Sequence, residues 1–491
     1  MNFLKSHTGL LVFAITLAVW LPSLRNDFVD WDDLNMIVHN PRFNPPTPAG
    51  AGWYWTHRAW NLYQPLTTTL WAVLARIGWV EVPDHFGGHM NPAVFHLAGV
   101  LLHALGACIL FQILFIAARD RWAAAIGALL FAVHPIQTEA VVFAGVLNNP
   151  LAGSLSLLAI WQYLVSTEPA IAIAQSRWRW ALASVALLLA MLAKPTAIVT
   201  APMALVLDLA IHRRSLRRSI RSILPWIFLV LPCMIWTRLL QHGADAARSP
   251  LWFRPMVAGD AVAFYLRKIF LPVSLAIDYG RTPAFVHEHG SAWLTLLVPI
   301  AMLLIAGLCI RRAPLLSAAL LVFLIGLLPN SGLLPFDFQQ FSTVADRYVY
   351  FSMIGVGLAA VVPVKIKPML RTIGIAFLLV LSVLSEIQVT CWQDGQTLFR
   401  HALAVNPDSW MSAGNLAVAI GDRSCDEAIA LCRQSIAIRS DQPDVWNTLG
   451  SLLMERGDRP QAISAFETAH RLAPDVSLFG QNLARARNAG G

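Results

Sequence analysis

Apolar runs of roughly the length a bilayer-crossing helix needs, about 17 to 25 residues, recur through most of the chain. They lie near residues 8 to 24, 93 to 117, 122 to 136, 145 to 165, 180 to 193, 196 to 211, 222 to 240, 292 to 310, 314 to 329, 346 to 364 and 370 to 389. Between them sit short basic clusters: Arg119 and Arg121, Arg177 and Arg179, Arg213 to Arg221, Arg311 and Arg312, Lys365 to Arg371. With the N-terminus inside, every one of these clusters falls on the cytoplasmic side, where an excess of Lys and Arg belongs. That agreement predicts eleven transmembrane helices in an all-α protein. Residues 260 to 276 are apolar as well, but Arg267 and Lys268 stand mid-run, and a further span would invert all later loops. An interfacial helix is predicted there. The first run follows Lys5 as a signal peptide would, yet ends Trp20-Leu21-Pro22-Ser23-Leu24 with no small-x-small site, so an uncleaved span is expected.

Composition agrees. Of 491 residues 57% are hydrophobic and 13% charged, with mean hydropathy +0.58, whereas a soluble domain carries about 25% charged residues. The formal charge of +8 belongs to the loop clusters and gives no basic face for nucleic acid. Of six cysteines, Cys108, Cys233 and Cys309 fall inside apolar runs, where small packing residues are expected. Cys425 and Cys432 would lie roughly 10 Å apart on a helix, too far for a disulfide, and no metal-ligand spacing appears.

After about residue 390 polar residues return and a repeat emerges. Trp446, Leu449, Gly450, Gly457, Ala462, Phe466, Ala469 and Pro474 fall at the spacing of a tetratricopeptide unit. Ala428 precedes Ala462 by 34 residues, and Phe399, Ala402 and Pro407 each precede their counterparts by 67. Residues 1–390 are therefore read as a membrane domain with an outer loop over 25–92, and 391–491 as a repeat domain of two units and a leading half. Such a stack offers a concave surface for an extended polypeptide; a rigid cap or oligomerisation module is the plainer alternative.

Four polar groupings interrupt the membrane region at predicted outer ends of spans. Asp30, Asp32 and Asp33 follow the first span, in a long outer segment that also holds Trp53, Tyr54, Trp55, Trp60, Tyr63 and Gln64. Those aromatics predict an interfacial helix. His134-Pro135 and Glu139 close the third span, Lys194-Pro195 separates the fifth and sixth, and Asp346-Arg347-Tyr348 opens the tenth. Taken singly these are span-end residues and snorkelling cations. Together, acidic and basic groups on one membrane face outline a site for a lipid phosphate and a nucleophile needing deprotonation. A transporter would instead gather its polar groups at mid-membrane on broken helices.

The segments FVDWDDLNMIVHNP, YQPLTTTL, FHLAGVLLHAL, FAVHPIQTEAVVF, LAKPTAIVTAP, ADRYVYFSMIGV and WQDGQTLFRHALAVNPDSW occur in this order along most of the chain. The ordered set resembles the transmembrane and tetratricopeptide repeat O-mannosyltransferases and their bacterial relatives, of the GT-C glycosyltransferase superfamily. The resemblance implies a polyprenyl-phosphate sugar, perhaps of mannose, as donor, and a Ser or Thr hydroxyl of an extracytoplasmic protein as acceptor, with the repeats as acceptor contact. Asp32 matches the first residue of the family's acidic pair and is the expected base, with Asp33 its partner and Glu139 a supporting acid. Lys194 and Arg347 would hold the donor phosphate, supported by Asp30, His134, Gln64, Asp346 and Tyr348. No cofactor is expected and a divalent metal stays open; membrane lipids are partners and nucleic acid is not. The expected location is a bacterial inner membrane, with catalytic loops and repeats on the periplasmic side. Two departures stand out: Gly145 to Pro150 reads GVLNNP where relatives often carry Arg or Lys followed by Asp, and Gln64 stands where Arg is usual. Both remove charge, and they leave room for a rival reading, a noncatalytic membrane scaffold recruiting secreted proteins through its repeats.

Overall fold

Each predicted apolar run forms helix in the structure, a computed structural model describing residues 7–58, 62–84, 86–169, 171–240, 249–290, 292–367 and 369–488. Trp60 lies outside the described residues. Among those residues, six helices are long and apolar enough to cross a membrane, or seven if Arg121–Ala132 and Pro135–Val142, bent by 49°, form one span. Other predicted runs form shorter or more polar helices, among them Asn148–Ser166, Thr200–Ile211, Pro314–Leu327 and Met353–Ile366. The last three are short for a shared reason. Proline or polar residues at one end divert the chain into the tight turns Pro195–Val199, Leu328–Asn330 and Asp346–Val349, since Pro cannot continue a helix into its preceding turn.

Small residues bring these helices together, as expected where lipid offers no hydrophobic drive between them. Arg121–Ala132 crosses Met353–Ile366 at Gly127 and Gly357, and a Cβ on either would lie within 2.6 Å of the other's carbonyl oxygen. Two of the predicted cytoplasmic loops meet at one end of the bundle, where Arg371 pairs with Asp120 at 2.7 Å. The predicted interfacial segment is a helix over Arg254–Phe270, packed on Ala292–Cys309. Two of its charged residues are buried: Asp260 pairs with Arg281 at 2.5 Å, and Lys268 donates to the carbonyls of Val273 and Ser274.

Beyond Thr390, helices Gly395–Val405, Trp410–Ile420, Cys425–Ile438, Pro443–Glu455, Arg459–Leu472 and Ser477–Asn488 stack in sequence. The motif residues explain the packing. Gly450 lets Pro443–Glu455 approach Phe466, where a Cβ would lie 2.7 Å from the ring, and Ala462, Phe466 and Ala469 are buried. Ser477–Asn488 covers the last hairpin through Phe479 and Leu483, an element the repeat pattern did not predict. Cys425 and Cys432 are free thiols.

The stack is seated on the end of the bundle that carries the acidic segment. Ser409 donates to Asp278 at 2.6 Å, Phe341 stacks on Trp410 at 4.9 Å, and one apolar core runs through Trp392 and Phe399 into the membrane helices.

Candidate active site

The stretch after the first helix is fixed at both ends. Trp20 donates its indole N–H to the Ala132 carbonyl, Asn26 its amide to the Val389 carbonyl, and the Asp27 N–H bonds to the Gln393 carbonyl. The acidic cluster is thereby held against the end of Leu370–Thr390. Its three carboxylates then diverge. Asp33 is buried, with Oδ1 accepting from the Gly145 N–H at 2.6 Å and Oδ2 from the Val29 N–H at 3.1 Å. Gly145 is needed for that approach, because a Cβ there would sit 3.0 Å from both Asp33 Oδ1 and Asp32 Cβ. Asp30 turns toward the repeats, against Gly395. Asp32 faces a cavity of about 360 Å³.

Lys194, Arg347, Tyr348, Gln64 and Asn148 line the same cavity, so residues from four distant segments converge with Asp32 on one space. The helix Pro65–Ile77 brings Gln64, because Thr67 donates to the Ala193 carbonyl at 2.8 Å, beside Lys194. Lys194 Nζ donates to Asn149 Oδ1 at 2.5 Å. Arg347 lies with its guanidinium 4.3 Å from the Phe338 ring centroid and 4.8 Å from that of Tyr348.

Three of the candidates support this wall from behind. Glu139 is buried; one oxygen accepts from the Arg347 guanidinium and the other from the Arg347 N–H at 3.0 Å. The break at His134-Pro135 aims it there. His134 accepts the Ile136 N–H at Nδ1, 3.1 Å away, and Nε2 contacts the Ile269 carbonyl at 2.9 Å, so both ring nitrogens are engaged by backbone. Asp346 accepts from the Tyr279 hydroxyl at 2.7 Å, which fixes the turn carrying Arg347.

Burial sets the charges. It pushes Asp32 up to about 6, against the pull of Arg347. It pushes Asp33 further, to about 8, despite its two backbone donors. At neutral pH Asp32 is thus the ionised member of the pair. Lys194 is pulled down to about 7 by burial and by the neighbouring Arg347 charge. Among the described residues no group of three His, Cys, Asp or Glu side chains is arranged to hold a metal ion.

A second cavity, of about 370 Å³, opens on the repeats between Asp30, Asn415, Arg439 and Asp444. Trp31 and Phe341 line both cavities and form the partition between them. The aromatic wall at Phe336, Phe338 and Phe341 was not anticipated from the sequence; the run PFDFQQF, in a loop predicted to lie outside, was its signal.

No family model matches the chain. A protein O-mannosyl-transferase of Caenorhabditis elegans, F38B6.6, is 22% identical over 448 residues, 84% of this chain and 60% of its own length. Protein O-mannosyl-transferase TMTC1 of Mus musculus is 34% identical over 164 residues, 30% of this chain and 15% of its own. The chain is thus similar to named protein O-mannosyl-transferases, over most of its own length in the first case. It matches less than two thirds of the length of either relative. Among solved structures, ArnT from Cupriavidus metallidurans bound to undecaprenyl phosphate is similar at 16% identity and a TM-score of 0.42, covering 99% of this chain and 79% of that one. At the two positions where the O-mannosyltransferase resemblance leads one to expect charge, the chain has a neutral contact: Asn148 Nδ2 donates to Gln64 Oε1 at 2.8 Å.

Proposed function

We propose that this protein is a GT-C-type membrane glycosyltransferase with eleven spans, moving a sugar from polyprenyl phosphate to a hydroxyl of an extracytoplasmic protein. The observation that carries the reading is the convergence of Asp32, Lys194 and Arg347 on one cavity. Asp32 removes the proton of the acceptor hydroxyl, whose oxygen bonds to the anomeric carbon as the bond from that carbon to the phosphate oxygen breaks. Polyprenyl phosphate departs, and Lys194 and Arg347 stabilise the charge it gains. Asp33, Glu139, His134 and Asp346 act as positioning residues. Glu139 keeps the guanidinium in place, while Asp33 ties the acidic loop to Gly145.

A noncatalytic scaffold offers no reason to hold Lys194 half-buried beside Arg347, with a neutral amide as its hydrogen-bond partner. Such an arrangement costs free energy that an anion would offset. The second cavity supports acceptor approach over the tetratricopeptide repeats, since it lies next to the first, separated from it by Trp31 and Phe341. The basic-loop pattern supports placing the site and repeats on the extracytoplasmic side, and the resemblance to bacterial relatives supports a bacterial inner membrane. Purified protein incubated with a panel of labelled polyprenyl-phosphate sugars and a Ser/Thr peptide should label the peptide with at least one sugar. Donor binding without turnover on any hydroxyl acceptor would favour the scaffold.

A further inference from the structure

The cavity has two chemically different walls. Asp32, Lys194 and Arg347 supply charge; Gln64 and Asn148 supply only amides. Both amide residues are buried, Gln64 at 4% and Asn148 at 8% exposure, and they spend one hydrogen bond on each other. Asn148 Oδ1 is left with no hydrogen-bond partner among the described residues. A buried acceptor without a donor is costly, and native structures reserve such atoms for a water or a ligand. An amide pair can also reverse, Gln64 donating and Asn148 accepting, which would turn the unused group from acceptor to donor. A sugar hydroxyl satisfies either sense, because it both donates and accepts. A carboxylate directed at the amides would lose water, and the cations nearest it, Lys194 and Arg347, are those the donor phosphate occupies.

Resting on the glycosyltransferase reading above, we infer that Gln64 and Asn148 form the sugar subsite of the donor, hydrogen-bonding a hydroxyl of an uncharged hexose. Lys194 and Arg347 take the phosphate, and Asn149 links the two walls by accepting from Lys194. The amide pair therefore governs which sugar is bound, and not whether the lipid phosphate is bound.

The test is equilibrium binding to the full-length protein in lipid nanodiscs, with three probes: bare polyprenyl phosphate, polyprenyl-phosphate hexose and polyprenyl-phosphate hexuronate. Wild type should bind the hexose lipid at least about tenfold more tightly than the hexuronate lipid. Asn148→Leu should weaken the hexose lipid by about tenfold, the worth of a hydrogen bond, and leave bare polyprenyl phosphate unchanged. The double variant Q64L/N148L removes both partners of this contact together and should give the same selective loss. Equal binding of hexose and hexuronate lipids by wild type would overturn the inference. So would variants that bind the hexose lipid as wild type does, or that lose both lipids equally. Failure of wild type to bind any of the three probes would instead refute the parent reading, and with it the subsite.

Discussion

Asp32 and Asp33 are adjacent, and their surroundings give them opposite duties. Asp33 spends both oxygens on backbone N–H groups; Asp32 faces the cavity. Asp32→Asn should lower initial transfer rates by roughly a hundredfold or more, as loss of a general base does, while Asp30→Asn is milder. The pH profile follows from two groups. The base works unprotonated, so activity rises with pH through about 6 as Asp32 ionises. The phosphate-holding ammonium works protonated, so activity falls as pH rises through about 7, where free Lys194 loses its charge. A narrow bell in kcat/KM is expected, and in Lys194→Arg the alkaline limb should move upward because guanidinium stays charged. An alkaline limb unmoved by that substitution would detach it from Lys194. The polar groupings themselves were legible in the sequence, because carboxylates and cations at span ends are conspicuous. Their division into cavity-facing and supporting groups was not, because it rests on hydrogen bonds such as Gly145 to Asp33, between residues 112 positions apart.

At the scale of elements, apolar runs gave the helices and motif spacing gave the stacked hairpins, since each depends on local pattern. The turns that end several helices were hidden. Pro195–Val199 and Asp346–Val349 are short, and they deliver Lys194 and Arg347. His134 illustrates the same point: it marks a helix break by joining Ile136 to Ile269. His134→Leu would bury an unpaired N–H and an unpaired carbonyl, costing about 1–3 kcal/mol for each. Thermal unfolding of the purified variant should shift to lower temperature. Transfer should also fall, because Glu139 and Arg347 would lose register; unchanged stability and activity would show the bend to be fixed by Pro135 alone.

Across the whole molecule, the account requires the acidic loop and the repeats on one face of the membrane and the basic loops on the other. Single cysteines at Glu81 and Ser464, in a background freed of reactive native thiols, should be labelled by an impermeant reagent on intact spheroplasts. A cysteine at Ser215 should react only after permeabilisation. Labelling of only one outer position would break the eleven-span arrangement. The seating of the repeats was not legible from sequence, because Asp278 to Ser409 and Phe341 to Trp410 join segments that no periodicity relates.

The central claim is that Asp32 is the base of a lipid-phosphate sugar transfer. The most direct measurement pairs wild type with Asp32→Asn in single-turnover transfer from labelled polyprenyl-phosphate sugar to a Ser/Thr peptide, with donor binding measured on the same preparations. The account predicts transfer by wild type, a loss of about a hundredfold or more in the variant, and donor affinity essentially retained. Transfer at the wild-type rate by Asp32→Asn, with donor bound, would contradict it.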